Sequence, residues 1–145
     1  MDETSEQQIR AVIDERVQAV RAKDPVPLAA RHADDVVTFD VLPPLLRGGR
    51  GSVIDKTQQW FDGYRSALGH RVADLDVVAD GDLGFCSFVY NVQGTLQSGA
   101  EVDMWVRATL CLRRVDGTWR IVHDHESVPF DPETGRAVID LAPEA

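Results

Sequence analysis

The sequence contains no apolar run approaching the ~18 residues of a membrane-spanning helix. Its opening, MDETSEQQIR, offers neither a basic segment nor an apolar leader, so a cytoplasmic location and no membrane partner are expected. Cysteine is scarce. Cys86 and Cys111 each sit among strand-like apolar residues, with no CxxC or Cys/His finger spacing, which leaves two buried free thiols as the expectation. Cations are also in deficit: 15 Lys and Arg face 24 Asp and Glu, and the net charge of −9 argues against nucleic acid or an anionic surface as a partner. Internal repeats, linkers and low-complexity stretches are missing too. What remains is a chain of 145 residues, 43% apolar and 27% charged. That is close to the globular average of about 45–50% and 25%, so one folded domain is expected over residues 1–145.

Thr4 and Ser5 precede Gln7 and Gln8 by three residues, the pattern of a capping box. Ile9, Val12, Ile13, Val17 and Val20 then recur at helical spacing, which predicts a helix ending near Lys23. Asp24-Pro25 breaks it, a short helix follows over 25–32 with Leu28 inward, and Ala33-Asp34-Asp35 reads as a turn. The β-rich run Val36 to Val41 stops at Pro43-Pro44, which puts Asp40 at a strand end. Arg47-Gly48-Gly49-Arg50-Gly51 leads to Ser52 as an N-cap, and Val53, Thr57, Trp60, Phe61, Tyr64 and Leu68 mark one face of a third helix. Four long runs of β-branched and aromatic residues follow, over 71–79, 85–96, 102–114 and 118–130. Asp80-Gly81-Asp82, Ser98-Gly99 and Asp116-Gly117 punctuate them as hairpin turns. The core thus runs from about 5 to 130, with a turn-rich surface tail after Pro129.

Helices followed by a long antiparallel meander make an α+β layout, in which a curled sheet wraps the helices and leaves a concavity lined by side chains of one parity. On the third long strand Met104, Val106, Ala108, Leu110 and Leu112 are all apolar and should face the helices, with Trp105 and Arg107 outward. The last strand leaves both orientations open, because Trp119 and Ile121 share a face with His123 and His125, and Val122 shares one with Asp124 and Glu126. Asp40, flanked by Phe39, Val41 and Leu42, has an apolar setting that by desolvation suits a carboxylate to take a proton. Asp124 and Glu126, two apart on one strand, are close enough to push their proton affinities apart. His123 and His125 share a strand face but have no third ligand nearby, so a structural or interface role is read for them and no metal is expected. Trp60, Phe61 and Tyr64 form an aromatic stripe that can pack around a cavity, and the hydroxyls of Tyr64 and Tyr90 are the candidate donors. The glycines near Gly49 lack the lysine of a phosphate loop, and no Ser/His/Asp or Cys/His nucleophile pattern is supported.

The ending Asp116-Gly117-Thr118-Trp119-Arg120-Ile121-Val122-His123-Asp124-His125-Glu126-Ser127, with Thr38-Phe39-Asp40 ahead of a proline loop, resembles the nuclear transport factor 2-like superfamily, most of all its SnoaL-like and ketosteroid-isomerase-like members. The ending also resembles the association domain of calcium/calmodulin-dependent kinases. The resemblance implies a cone-shaped fold, N-terminal helices packed on a strongly curved antiparallel β-sheet, and a homodimer through the outer sheet face. By position, Asp40 matches the general base of ketosteroid isomerase, an enzyme that pairs its base with an oxyanion hole of a tyrosine and a protonated aspartate. Asp124 matches the acid of SnoaL-like cyclases, which turns Val122, Asp124 and Glu126 into the cone and His123 and His125 outward. The expected function is a cofactor-independent isomerase, cyclase or dehydratase moving a proton on a small apolar carbonyl compound, polyketide- or steroid-like. Asp40 would be the base, Tyr64 or Tyr90 the donor to the oxyanion, and Asp124 an auxiliary acid. Trp60, Phe61, Tyr90, Val106, Leu110, Val122 and Glu126 would contact substrate. The alternative is a non-catalytic binding or dimeric assembly domain of the same fold.

Overall fold

The computed structural model describes residues 4–143. Thr4 Oγ1 accepts the Gln7 N–H at 3.1 Å and the Gln7 side chain accepts the Thr4 N–H at 2.8 Å, so the capping box forms and starts α1 (Ser5–Arg21). Asp24 caps α2 (Pro25–Ala29), with proline at its first turn where a missing N–H is harmless. The chain then lays down β1 (His32–Phe39), β2 (Arg47–Gly48), α3 (Arg50–Asp62), β3 (Gly69–Asp80), β4 (Leu83–Thr95), β5 (Glu101–Val115) and β6 (Thr118–Ser127). Helix α3 begins at Arg50, two residues before the expected Ser52. Gly49, at φ +91°, makes the turn into it, and the Ser52 hydroxyl donates back to the Gly48 and Gly49 carbonyls.

The six strands form one sheet in the order β2-β1-β6-β5-β4-β3, antiparallel except where β1 runs parallel to β6. Strands of 12 to 15 residues in β3, β4 and β5 coil strongly, and the N-terminal helices pack on the concave side. Strand β1 starts at His32, so the expected turn at Ala33-Asp34-Asp35 is absent. Those residues bulge out of the ladder, where His32 pairs with Ile121 and Val37 with His123, and Asp34 ion-pairs with Arg50 at 2.6 Å.

A second bulge settles the orientation of β6. Cys111 pairs with His123 but Leu112 pairs with Ile121, so Val122 has no partner on β5 and the side-chain alternation slips by one residue there. Trp119 and Ile121 before the slip, and Asp124 after it, all turn to the buried side. The core is built from Ile9, Val12 and Ile13 of α1, Phe61 of α3, and Cys86, Leu110, Leu112 and Ile121 of the sheet. Gly84 lets α1 sit close, since a Cβ there would lie 2.8 Å from Ile9 Cδ1. Cys86 and Cys111 are both free. Only Cys86 is fully buried, and burial pushes its thiol up to about 11. Past β6 the chain folds back on itself, with the Val138 N–H on the Pro129 carbonyl. The Ile139 carbonyl accepts the Trp105 N–H at 2.9 Å, on a part of β5 that β6 is too short to reach. No described helix is long and apolar enough to cross a membrane.

Candidate active site

Between α1, α3 and the concave sheet face lies a cavity of about 380 Å³, walled by apolar side chains such as Ile13, Val20, Val53, Phe88, Val92 and Met104. Three polar stations interrupt these walls. The first lies just past the end of β1, where Asp40 Oδ1 accepts the Val41 N–H at 2.6 Å and Oδ2 meets Lys56 Nζ of α3 at 2.6 Å. The apolar setting expected for Asp40 is therefore corrected to an ion pair, supplied by Lys56 on α3, which the sequence around Asp40 does not show. Both side chains keep 16–17% exposure, so this station is partly open to water.

The second station is more enclosed than the first. Asp124 on β6 lies 3.5 Å from Arg16 Nη2 of α1 and 3.5 Å from His32 Nε2 of β1. Burial works against the carboxylate, but Arg16 and His32 outweigh it and hold its carboxyl well below the usual range. Burial also lowers His32, which leaves it neutral beside the pair.

The third station follows from the second. Glu126 is two residues along β6 on the same face, and the Tyr90 hydroxyl donates to its Oε1 at 2.5 Å. Burial first, and the charge of Asp124 second, push Glu126 up to about 8, while burial and Glu126 raise Tyr90 well above its ordinary value. At neutral pH two acids on one strand thus divide the labour: Asp124 is ionised and Glu126 carries a proton. His70 packs on Tyr90 with ring centroids 4.8 Å apart, and burial with Arg16 and Arg21 lowers it to about 4.

Of the residues singled out in the sequence, Asp40, Asp124, Tyr64, Trp60, Tyr90, Val106 and Glu126 line this one cavity. Tyr64 reaches it because Gly94 has no side chain, since a Cβ there would lie 2.8 Å from Tyr64 Cδ2. Phe61, Leu110 and Val122 do not line it. Phe61 is turned about 100° round the helix from Trp60 and fills the core. Leu110 is fully buried further along β5, and Val122 is the bulged residue that the alternation skips. His123 and His125 stand outside the cavity against the edge of Phe39, at 4.7 and 5.3 Å, with His123 Nδ1 on the Val37 carbonyl. Arg16, His32, Lys56 and His70 were not anticipated. Arg16 continues the α1 stripe of Ile9, Ile13 and Val20, and Lys56 lies three residues after Val53, so both cations sit on helix faces read as apolar.

The raised proton affinity of Glu126 has a thermodynamic signature. The unfolded chain releases this proton near pH 4.3, whereas the folded state holds it to about 8, so its contribution to stability falls as pH rises through that interval and is gone above 8. His70 and His32 are shifted downward, and their opposite contribution is complete above about pH 6.5. Glu126→Gln keeps an acceptor for Tyr90 and removes the titration. Its Tm is expected to stay level from about pH 6.5 to 9 while that of the unsubstituted protein declines. A calorimetric series reads the difference, and parallel curves would show that another group titrates.

Helices laid over a curved sheet that closes round an acid-bearing cavity define the nuclear transport factor 2-like fold. The model of the SnoaL-like domain matches residues 9–131, and the chain belongs to that family. A nuclear transport factor 2-like protein of unknown function from Pseudomonas putida is 32% identical over 99% of both chains, with a TM-score of 0.88. A ketosteroid isomerase-like protein from Erwinia carotovora shares 16% identity over 87% of this chain and 97% of its own, with a TM-score of 0.74. A candidate scytalone dehydratase from Novosphingobium aromaticivorans shares 13% over 83% and 80%, with a TM-score of 0.73. No curated protein matches the sequence significantly.

Proposed function

We propose that the protein catalyses cofactor-independent proton transfer on a small, largely apolar carbonyl compound, as an isomerase, cyclase or dehydratase. The observation that carries this reading is the pairing of a proton-bearing Glu126 with the Tyr90 hydroxyl in the same apolar cavity as the Asp40 carboxylate. Asp40 removes the proton α to the carbonyl. Glu126, its Oε1 held by the Tyr90 hydroxyl, donates its own proton to the oxygen as that gains charge, in a water-poor cavity where a preset donor stabilises an enolate most. The role of the auxiliary acid expected at Asp124 passes to Glu126, because Asp124 is held ionised by Arg16 and serves to keep its neighbour protonated. Tyr64 lines the cavity as a wall residue. At about 380 Å³ the cavity is near the small end of ligand pockets, about 300–1,000 Å³, which favours one or two rings over the four of a steroid. The names carried by two of the structural neighbours agree with this chemistry. The protein would act in the cytoplasm as a homodimer. Val78 and Phe85, paired across β3 and β4 and exposed on the outer sheet face, support that interface.

The test is deuterium uptake at the α carbon of small cyclic ketones, followed by NMR in D₂O. Exchange is expected to exceed the buffer rate, and to decline as pH rises through about 8 and Glu126 loses its proton. Ketones that bind but exchange only at the buffer rate at every pH would leave the binding-module alternative standing instead.

A further inference from the structure

We propose that the ligand of this cavity carries a hydroxyl group as well as a carbonyl, and that the hydroxyl lies between Arg16 and Asp124, accepting from Arg16 Nη1 and donating to Asp124 Oδ1. The inference deepens the proton-transfer reading and rests on it only for the carbonyl.

Arg16 and Asp124 are a poorly satisfied pair. A guanidinium has five N–H donors, yet among the described residues its only hydrogen bond is the 3.5 Å approach to Asp124, and its side chain is 12% exposed. Arg16 Nη1 is buried without a hydrogen-bond partner among the described residues, and so is Asp124 Oδ1, on a side chain 4% exposed. Buried polar atoms are almost always paired. Here a charged donor and a charged acceptor are left over on one ion pair, and both residues line the cavity. A ketone oxygen would satisfy Arg16 alone. A carboxylate would meet the charge of Asp124, and an ammonium that of Arg16. A hydroxyl both donates and accepts, so it suits both members of the pair.

The strand sets the spacing. Asp124 and Glu126 are two residues apart on β6, which separates their places along the strand by roughly 6–7 Å. The hydroxyl and the carbonyl therefore belong on opposite sides of a ring system rather than on neighbouring carbons.

Three probes that differ only at this position test the assignment by calorimetric titration: 1-indanone, 5-hydroxy-1-indanone and 5-methoxy-1-indanone, the last able to accept but not to donate. The hydroxy ketone is expected to bind at least about tenfold more tightly than either of the others, since an analogue lacking the hydroxyl leaves the buried pair unanswered. Arg16→Met should bring the three affinities within about twofold. Arg16→Lys keeps a buried cation should the Met variant fail to fold, and it should weaken the preference. Equal affinities for the unsubstituted protein, no measurable binding of the hydroxy ketone, or a preference that survives in the Met variant each overturn the site. A hydroxyl preference without α-proton exchange sinks the catalytic reading and leaves this site in place; exchange without the preference does the reverse.

Discussion

Asp40→Asn is expected to slow α-proton exchange by about 10²–10⁴-fold, the range for a positioned general base, while changing ketone affinity little. Asn is nearly isosteric and keeps an acceptor for the Val41 N–H, which fixes the residue just past β1. What it loses is the ability to hold a proton. Lys56 is left without its partner, but both side chains are partly open to water, so the structural penalty is of the order of ~1 kcal/mol. The effect should therefore fall on kcat and spare KM, the pattern of an interaction made in the transition state. Equal kcat in the variant and the parent would take Asp40 out of the mechanism, leaving Glu126 or a water to move the proton.

Asp124→Asn should have the largest effect on stability. It leaves the Arg16 guanidinium buried without a counter-charge, which typically costs about 3–5 kcal/mol, a fall in Tm of roughly 10 °C for a domain of this size. The substitution also removes the charge that helps keep Glu126 protonated, and Arg16 then acts on Glu126 unopposed. The Glu126 midpoint is expected to move down from about 8, taking the alkaline limb of the exchange profile with it. Carboxyl-carbon NMR of Glu126 reads the shift, and Asp124→Asn with Glu126→Gln should be less stable than either alone because no acid remains beside Arg16. An unmoved midpoint would show that burial alone raises Glu126.

Much of this architecture was legible in the sequence, because it rests on local signals. The capping box at Thr4 and the turn glycines gave α1 and the hairpins, and the alternation on β5 gave the inner face of that strand. The parity of β6 was not legible. A bulge at Val122 puts Ile121 and Asp124 on the same side, and no period-two pattern carries a slip. Residues 33–35 differ from the expected turn for a similar reason: two aspartates in a short polar run resemble a turn, and only the pairing of His32 and Val37 with β6 on either side carries them through as a bulge within β1. At the site, the acids were found because carboxylates in apolar strands stand out. The cations that tune them were not, because Arg16 and Lys56 on amphipathic helices look like solvated residues until tertiary packing covers them.

Arg16 and Asp124 are also 108 residues apart in the chain, and β1 cannot join the sheet until β6 exists to receive it. Contacts this distant in sequence form slowly, since loop closure must precede any gain from them. A nascent chain still on the ribosome has α1, Asp40 and Tyr90 long before it has either acid of β6. Ligand recognition therefore arrives with β6, and a molecule held by these acids marks chains in which that strand has been made and has taken its place in the sheet.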